Sequence, residues 1–163
     1  MTEPTRALRF LPLALDVRGR RCVVVGGGAV GTRKASTLAR AGAAVTVVAP
    51  RGSDQLARLA DTGVVRWVRE PVQDAHTDGA FLVVAATDDA AVNAAVTRRA
   101  SGQGALACDA SAAEASPVIF GALLERDEAT IAVFTDGRAP ARARDTRDAI
   151  AALLPPSAGG EPA

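Results

Sequence analysis

Cys22-Val23-Val24-Val25-Gly26-Gly27-Gly28-Ala29-Val30-Gly31-Thr32-Arg33-Lys34-Ala35 decides the fold of this chain. A run of β-branched residues opens directly into Gly26-x-Gly28-x-x-Gly31, and a helical pattern follows. Each glycine answers a steric demand. Gly26 turns the chain tightly off the strand, Gly28 lets the backbone approach a pyrophosphate, and Gly31 lets the next helix pack on the sheet. The helix N-terminus adds unpaired N–H groups and a partial positive charge toward the phosphates. A GxGxxG is a weak signal by itself. Set between a β-branched strand and a helix near the start of the chain, it predicts a dinucleotide-binding unit.

Outward from this motif, strand and helix alternate. Residues 10–15 read as a short edge strand and 16–19 as a turn, followed by the strand 21–25 and a helix over 29–41 that Gly42 ends. The strand 44–49 is stopped by Pro50, a helix covers 52–62, and strands follow at 64–69 and 80–86. A helix at 90–101 and a strand at 105–108 complete the alternation. Continuously apolar strands alternating with helices predict an α/β fold of Rossmann type, with a doubly wound parallel sheet. Beyond Ser111 the pattern changes: two antiparallel strands at 117–124 and 129–134 flank the charged turn 125–128, and a helix spans 140–154. The expected organisation is a dinucleotide-binding domain over 1–112, a dimerisation and substrate segment over 113–155, and a disordered tail over 156–163. The middle segment is too small to hold a core of its own, so a homodimer is expected.

Composition narrows the chemistry. With 163 residues the chain buries one full core, and a net charge of +1 provides no steering toward nucleic acid or membrane. The polar N-terminus and strand-length apolar runs argue against a secretory signal or a membrane span. Two cysteines in predicted strands fit buried free thiols and a cytoplasmic protein. The chain has no Tyr, one Lys (Lys34) and one His (His76, in a polar loop). A Tyr-Lys proton relay is therefore excluded, and a Cys/His metal cage lacks ligands. Chemistry here must run on carboxylates, hydroxyls, arginines and a bound cofactor.

Three strand ends line the ligand edge of such a sheet, and one further stretch beyond the sheet carries chemistry. The acid that commonly holds the adenosine ribose at the end of the second strand is missing, since the chain reads Val48-Ala49-Pro50-Arg51. Three readings stand: no dinucleotide, an Arg51 that meets a 2′-phosphate, or Pro50 and Arg51 lining the adenosine through backbone. Thr87-Asp88-Asp89 follows the most apolar strand, where Asp88 or Asp89 caps the next helix and Thr87 faces a cofactor. Asp109 ends the next strand, either as a turn residue bonding its own backbone or as a general base. Thr135-Asp136-Gly137-Arg138-Ala139-Pro140 leads into a helix with Arg142, Arg144 and Arg147. That is either an exposed face paired with Asp145 and Asp148 or a site for a polyanionic substrate.

Taken together, these residues resemble the precorrin-2 dehydrogenase family, the N-terminal module of siroheme synthases. Leu11-Pro12-Leu13-Ala14-Leu15-Asp16-Val17-Arg18, Val25 to Lys34, Ala85 to Asn93 and the ending from Ile131 to Pro140 carry the likeness. The resemblance implies NAD-dependent oxidation of precorrin-2 to sirohydrochlorin, and in some members insertion of ferrous iron. It implies cofactor contacts at Gly26, Gly27, Gly28, Ala29, Val30, Pro50, Arg51, Thr87 and Asp88. It places substrate contacts at Ser116, Thr135, Gly137, Arg138 and Arg142, and the catalytic aspartate at Asp109. There the usual Asn-Val-x-Asp is replaced by Ala107-Cys108-Asp109. Family members usually continue into a further helical region that helps close the tetrapyrrole cleft, whereas this chain ends in a Pro/Gly-rich stretch, so dehydrogenation is expected ahead of iron insertion. A rival reading is a nucleotide-sensing regulatory module of the potassium-transport type, and a third is a non-catalytic scaffold.

Overall fold

The computed structural model describes residues 9–127 and 129–154. They fall into two compact units, one from Pro12 to Val118 and a second that joins residues 9–11 to the chain from Ile119 onward. In the first unit, β1 (Arg21–Gly27), α1 (Ala29–Arg40), β2 (Ala44–Gly52), α2 (Asp54–Asp61), β3 (Arg66–Val68), β4 (Leu82–Ala85), α3 (Ala90–Gly102) and β5 (Leu106–Asp109) follow one another. The strands form one parallel sheet in the order β3-β2-β1-β4-β5. Val24 at its centre pairs with Val47 on one side and Val84 on the other.

The sheet forms where it does because both its faces are covered. Cys22, Val23, Val24, Val47, Val83 and Val84 are fully buried, whichever face their side chains occupy, as continuous apolar runs require. Helix α1 packs with Gly31, Thr32, Ala35 and Leu38 inward, so three of its four buried positions are small. It ends at Arg40 with Ala41 as its C-cap, and Gly42 takes up a left-handed φ of +83°, as expected after a helix.

Three sequence expectations are corrected. Residues 10–15 form no strand: Leu11 and Leu13 are 75% exposed, none of the six is buried, and the first buried side chain is Val17 beyond them. Alternating leucines satisfy the period of a strand, but a strand also needs a partner, and Pro12 removes one donor. Second, Pro50 does not stop β2, which runs on to Gly52. The β1–β2 register slips between Val25 and Gly27, so Pro50 falls in the irregular stretch, and β3 has already ended its pairing at Val48. A proline is tolerated where the ladder asks for no N–H.

Third, β6 (Ala122–Arg126) begins later than expected and pairs antiparallel with β7 (Ala129–Val133). Arg126 pairs with Ala129, so Glu125 and Arg126 belong to the strand and the loop is only two residues long. Asp127 opens that loop at φ +53°, a conformation aspartate tolerates. Helix α4 (Pro140–Leu153) completes the second unit and packs on both strands. The expected boundary at 112 precedes the observed division because residues up to 118 remain tied to β5 through Ser116. Its hydroxyl accepts from Asp109 N at 2.9 Å and donates to the Val118 carbonyl at 2.8 Å. The expected tail at 156–163 lies outside the described residues. No helix among the described residues is long and apolar enough to cross a membrane.

Candidate functional site

The carboxyl ends of β1, β2, β4 and β5 bring together Gly26–Gly28, Arg51–Ser53, Ala86–Asp89 and Asp109–Ser111, the edge where open α/β sheets bind ligands. Gly26 holds φ +116°, and a Cβ there would strike the Ala86 carbonyl. A Cβ on Gly27 would collide with the Arg51 carbonyl, and one on Gly31 with the carbonyl of Gly26. Gly28 differs: a Cβ there would meet nothing within 4 Å. Three glycines are thus demanded by protein packing, while the fourth faces open space. That space lies at the start of α1, whose N-cap Gly28 has no capping side chain and whose first turn has no acid. The leading N–H groups of the helix are therefore left for an anion, and the cradle fits a dinucleotide pyrophosphate.

The loop is held from behind by residues that the sequence reading passed over. The Gly27 carbonyl accepts from Ser53 N at 2.9 Å and from Thr32 Oγ1 at 3.2 Å. With the Thr32 hydrogen directed there, the 2.9 Å bond between the two hydroxyls has Ser53 as donor and Thr32 as acceptor. Ser53 Oγ also caps α2 by accepting from Leu56 N at 3.1 Å. A serine opening Ser-x-x-Leu before an apolar helix was a readable cap signal; its tie to the glycine loop was not. Pro50 and Arg51 are exposed at the same rim, and no carboxylate ends β2.

At the end of β4, Asp89 is the capping residue, its Oδ1 accepting from Ala91 N and Val92 N at 2.8 and 3.1 Å. Asp88 is exposed. Thr87 turns its hydroxyl inward, 2.6 Å from Asn93 Oδ1 and 3.1 Å from the Asp89 carbonyl. Asn93 is fully buried.

At the end of β5, Asp109 is 8% exposed. Its Oδ1 accepts from Ser111 N, Ser111 Oγ and Ala112 N at 2.8, 2.6 and 3.1 Å. The bonds to its own turn are therefore present, and they leave Oδ2 outside this cluster. Ser116 joins Asp109 through the backbone bond already described. Behind the strand, burial pushes the Lys34 ammonium below its ordinary value and the Cys108 thiol above it, each opposed by the charge of the other. Burial likewise pushes up the Cys22 thiol.

In the second unit, Thr135 donates its hydroxyl to the Ala139 carbonyl at 2.9 Å, and Arg138 N donates to Thr135 O at 3.0 Å. Gly137 sits at φ +77° between them. Arg138 and Arg142 are exposed, while Arg147 pairs with its neighbour Asp148 at 2.6 Å.

Comparison with known proteins agrees with this geometry. Residues 13–122 match the family described as "Putative NAD(P)-binding". The siroheme synthase of Methylobacillus flagellatus is 40% identical over 152 residues, covering 93% of this chain and 32% of that protein. The siroheme synthase of Chromobacterium violaceum is 41% identical over the same span. This chain therefore spans about a third of the length of those curated relatives. Among solved structures, SirC, precorrin-2 dehydrogenase, superposes with a TM-score of 0.79 at 30% identity, covering 90% of this chain and 72% of that one.

Proposed function

Because the chain belongs to the family of precorrin-2 dehydrogenases and siroheme synthase N-terminal domains, and has its NAD-binding fold, we propose that it oxidises precorrin-2 to sirohydrochlorin with NAD. The observation that carries this reading is a buried carboxylate, Asp109, ending a strand of the sheet whose glycine loop opens to a ligand only at Gly28. Bound NAD supplies the hydride acceptor. The residues of the chain do the rest. The N–H groups after Gly28 hold the pyrophosphate, and Ala29, Val30, Pro50, Arg51, Thr87 and Asp88 line the same edge.

Dehydrogenation removes a hydride and a proton from the tetrapyrrole. Asp109 takes the proton as the C–H bond breaks, and the electron pair stays in the new double bond. Precorrin-2 is a polycarboxylate, and on the second unit the exposed guanidinium groups of Arg138 and Arg142, beside Thr135 and Gly137, are of the kind that pairs with carboxylates. A second copy of the chain completes the small unit formed by β6, β7 and α4, since two strands and a helix bury little surface by themselves. A cytoplasmic enzyme follows from the same pathway reading.

The test is turnover of precorrin-2 with NAD⁺, followed by NADH absorbance. Asp109→Asn is expected to lower kcat by about a hundredfold or more, as loss of a general base does. Nucleotide binding by calorimetry without any turnover would instead favour a sensor module. Adding ferrous iron to the same assay reads iron insertion, with iron as substrate. Sedimentation at micromolar protein reads the dimer.

A further inference from the structure

We propose that Ser111 and Asn93 are positioning residues that aim the Asp109 carboxylate, linking it to the cofactor-side loop at Thr87 by a directional chain of hydrogen bonds. The inference rests on the reading of Asp109 as the base.

The direction of the chain follows from donor and acceptor counting. Asn93 Oδ1 accepts from Thr87 N at 3.0 Å and from Thr87 Oγ1 at 2.6 Å. Its Nδ2 donates to Thr87 O at 3.0 Å and to Ser111 Oγ at 3.1 Å. All four bonding capacities of the amide are filled, and a flipped amide would face a carbonyl with its own oxygen, so the orientation is fixed. Ser111 Oγ receives a hydrogen from Asn93, which leaves its own hydrogen for Asp109 Oδ1 at 2.6 Å. That is a short, charge-assisted bond.

Two backbone donors, Ser111 N and Ala112 N, reach the same Oδ1. They make the turn without help from the serine side chain. The hydroxyl therefore does something the turn does not need. It adds a third donor to one oxygen, stops rotation of the carboxylate, and leaves Oδ2 to receive the proton. Asn93, on α3, holds Ser111 and Thr87 through one rigid amide, so the proton acceptor and the cofactor loop share a frame. Orientation of this kind contributes to rate only while the reacting groups are aligned.

The experiment measures steady-state turnover with precorrin-2 and NAD⁺ for the full chain and for Ser111→Ala, Ser111→Thr, Asp109→Asn and the double variant Ser111→Ala/Asp109→Asn. Ser111→Ala is expected to lower kcat about tenfold, with the KM for NAD⁺ changed less than about twofold. Ser111→Thr, which keeps the hydroxyl, is expected to restore kcat to within about threefold of wild type. In the Asp109→Asn background, Ser111→Ala is expected to cause no further loss, because a residue acting through Asp109 has nothing left to aim. Wild-type kcat in Ser111→Ala overturns the inference, as does the same tenfold loss in the Asp109→Asn background. Full activity in Asp109→Asn removes the base reading itself, and the inference with it, and that result is distinguishable from the other two.

Discussion

The hydroxyl groups of Thr32 and Ser53 meet at 2.9 Å, joining the first turn of α1 to the cap of α2 directly behind the glycine loop. Thr32 is fully buried, so this small polar cluster sits in dry surroundings. Thr32→Val preserves shape but removes one donor to the Gly27 carbonyl and the acceptor for Ser53. It is expected to reduce unfolding free energy by about 1–2 kcal/mol, since a buried polar group then loses its partner. Weaker NAD binding should accompany it, because the loop that presents the helix N–H groups loses one of its two ties. Urea unfolding and calorimetric titration with NAD check the two effects separately.

The two glycines that flank the start of α1 make opposite predictions. Gly28→Ala places a methyl in open space at an extended backbone geometry that alanine adopts freely, so the fold should melt within a few degrees of wild type. NAD affinity should fall, as the methyl occupies the pyrophosphate position. Gly31→Ala forces a methyl against the Gly26 carbonyl and should destabilise the fold by about 2 kcal/mol or more. Thermal melts with and without NAD separate the pair. Equal losses of stability in both variants would show that the cradle does not open at Gly28.

Asn93→Leu removes four hydrogen bonds from a fully buried site and strands the backbone of Thr87. A loss of about 3 kcal/mol is expected, the cost of leaving buried groups unsatisfied. Because β4 and α3 stay packed through Val83, Ala85, Val96 and Ala100, the urea slope should remain that of wild type.

Acid should weaken the first unit through Asp78, whose carboxylate accepts from Gln103 Nε2 and Arg99 Nη2, both at 2.8 Å. These bonds hold its pKa below the ordinary 3.8. A depressed folded value means that the contribution is complete above 3.8 and is lost as pH falls from there toward the folded pKa. Asp16 behaves in the same way, held at about 2 by the hydrogen bond from its neighbour Arg18. Both groups are exposed to solvent, so each effect is small. Urea midpoints at about pH 5 and about pH 2.5 should fall more for wild type than for Asp78→Asn, which has no carboxylate to protonate.

The sheet was legible because its signal is chemical as well as periodic. Val23 to Val25 cannot face water on either side, and the glycines after them have no other economical use in a strand-to-helix turn. Thr87-Asp88-Asp89 and Asp109 were also readable as strand ends. What escaped was pairing. Leu11, Leu13 and Leu15 have the alternation of a half-buried strand, yet alternation does not say whether a neighbour exists. Pro50 should break β2, and only the register slip opposite Gly26 explains why it does not. Thr32, Ser53, Asn93 and Ser111 escaped for a related reason. Their importance lies in which distant group each one meets, and a lone hydroxyl or amide in a sequence names no partner.

The slip that admits Pro50 has one more consequence. Ala49, just before it, receives the indole N–H of Trp67 at 2.9 Å, and the ring of that tryptophan closes over Gly52 so tightly that a Cβ there would lie 2.8 Å from it. The chain has one tryptophan and no tyrosine. Under excitation at wavelengths too long for its four phenylalanines, its ultraviolet emission therefore comes from one indole packed on the residue that pairs with Gly27 of the nucleotide loop. The protein contains its own optical reporter, and the arrival of a dinucleotide can be timed by quenching, without a label and without a substrate.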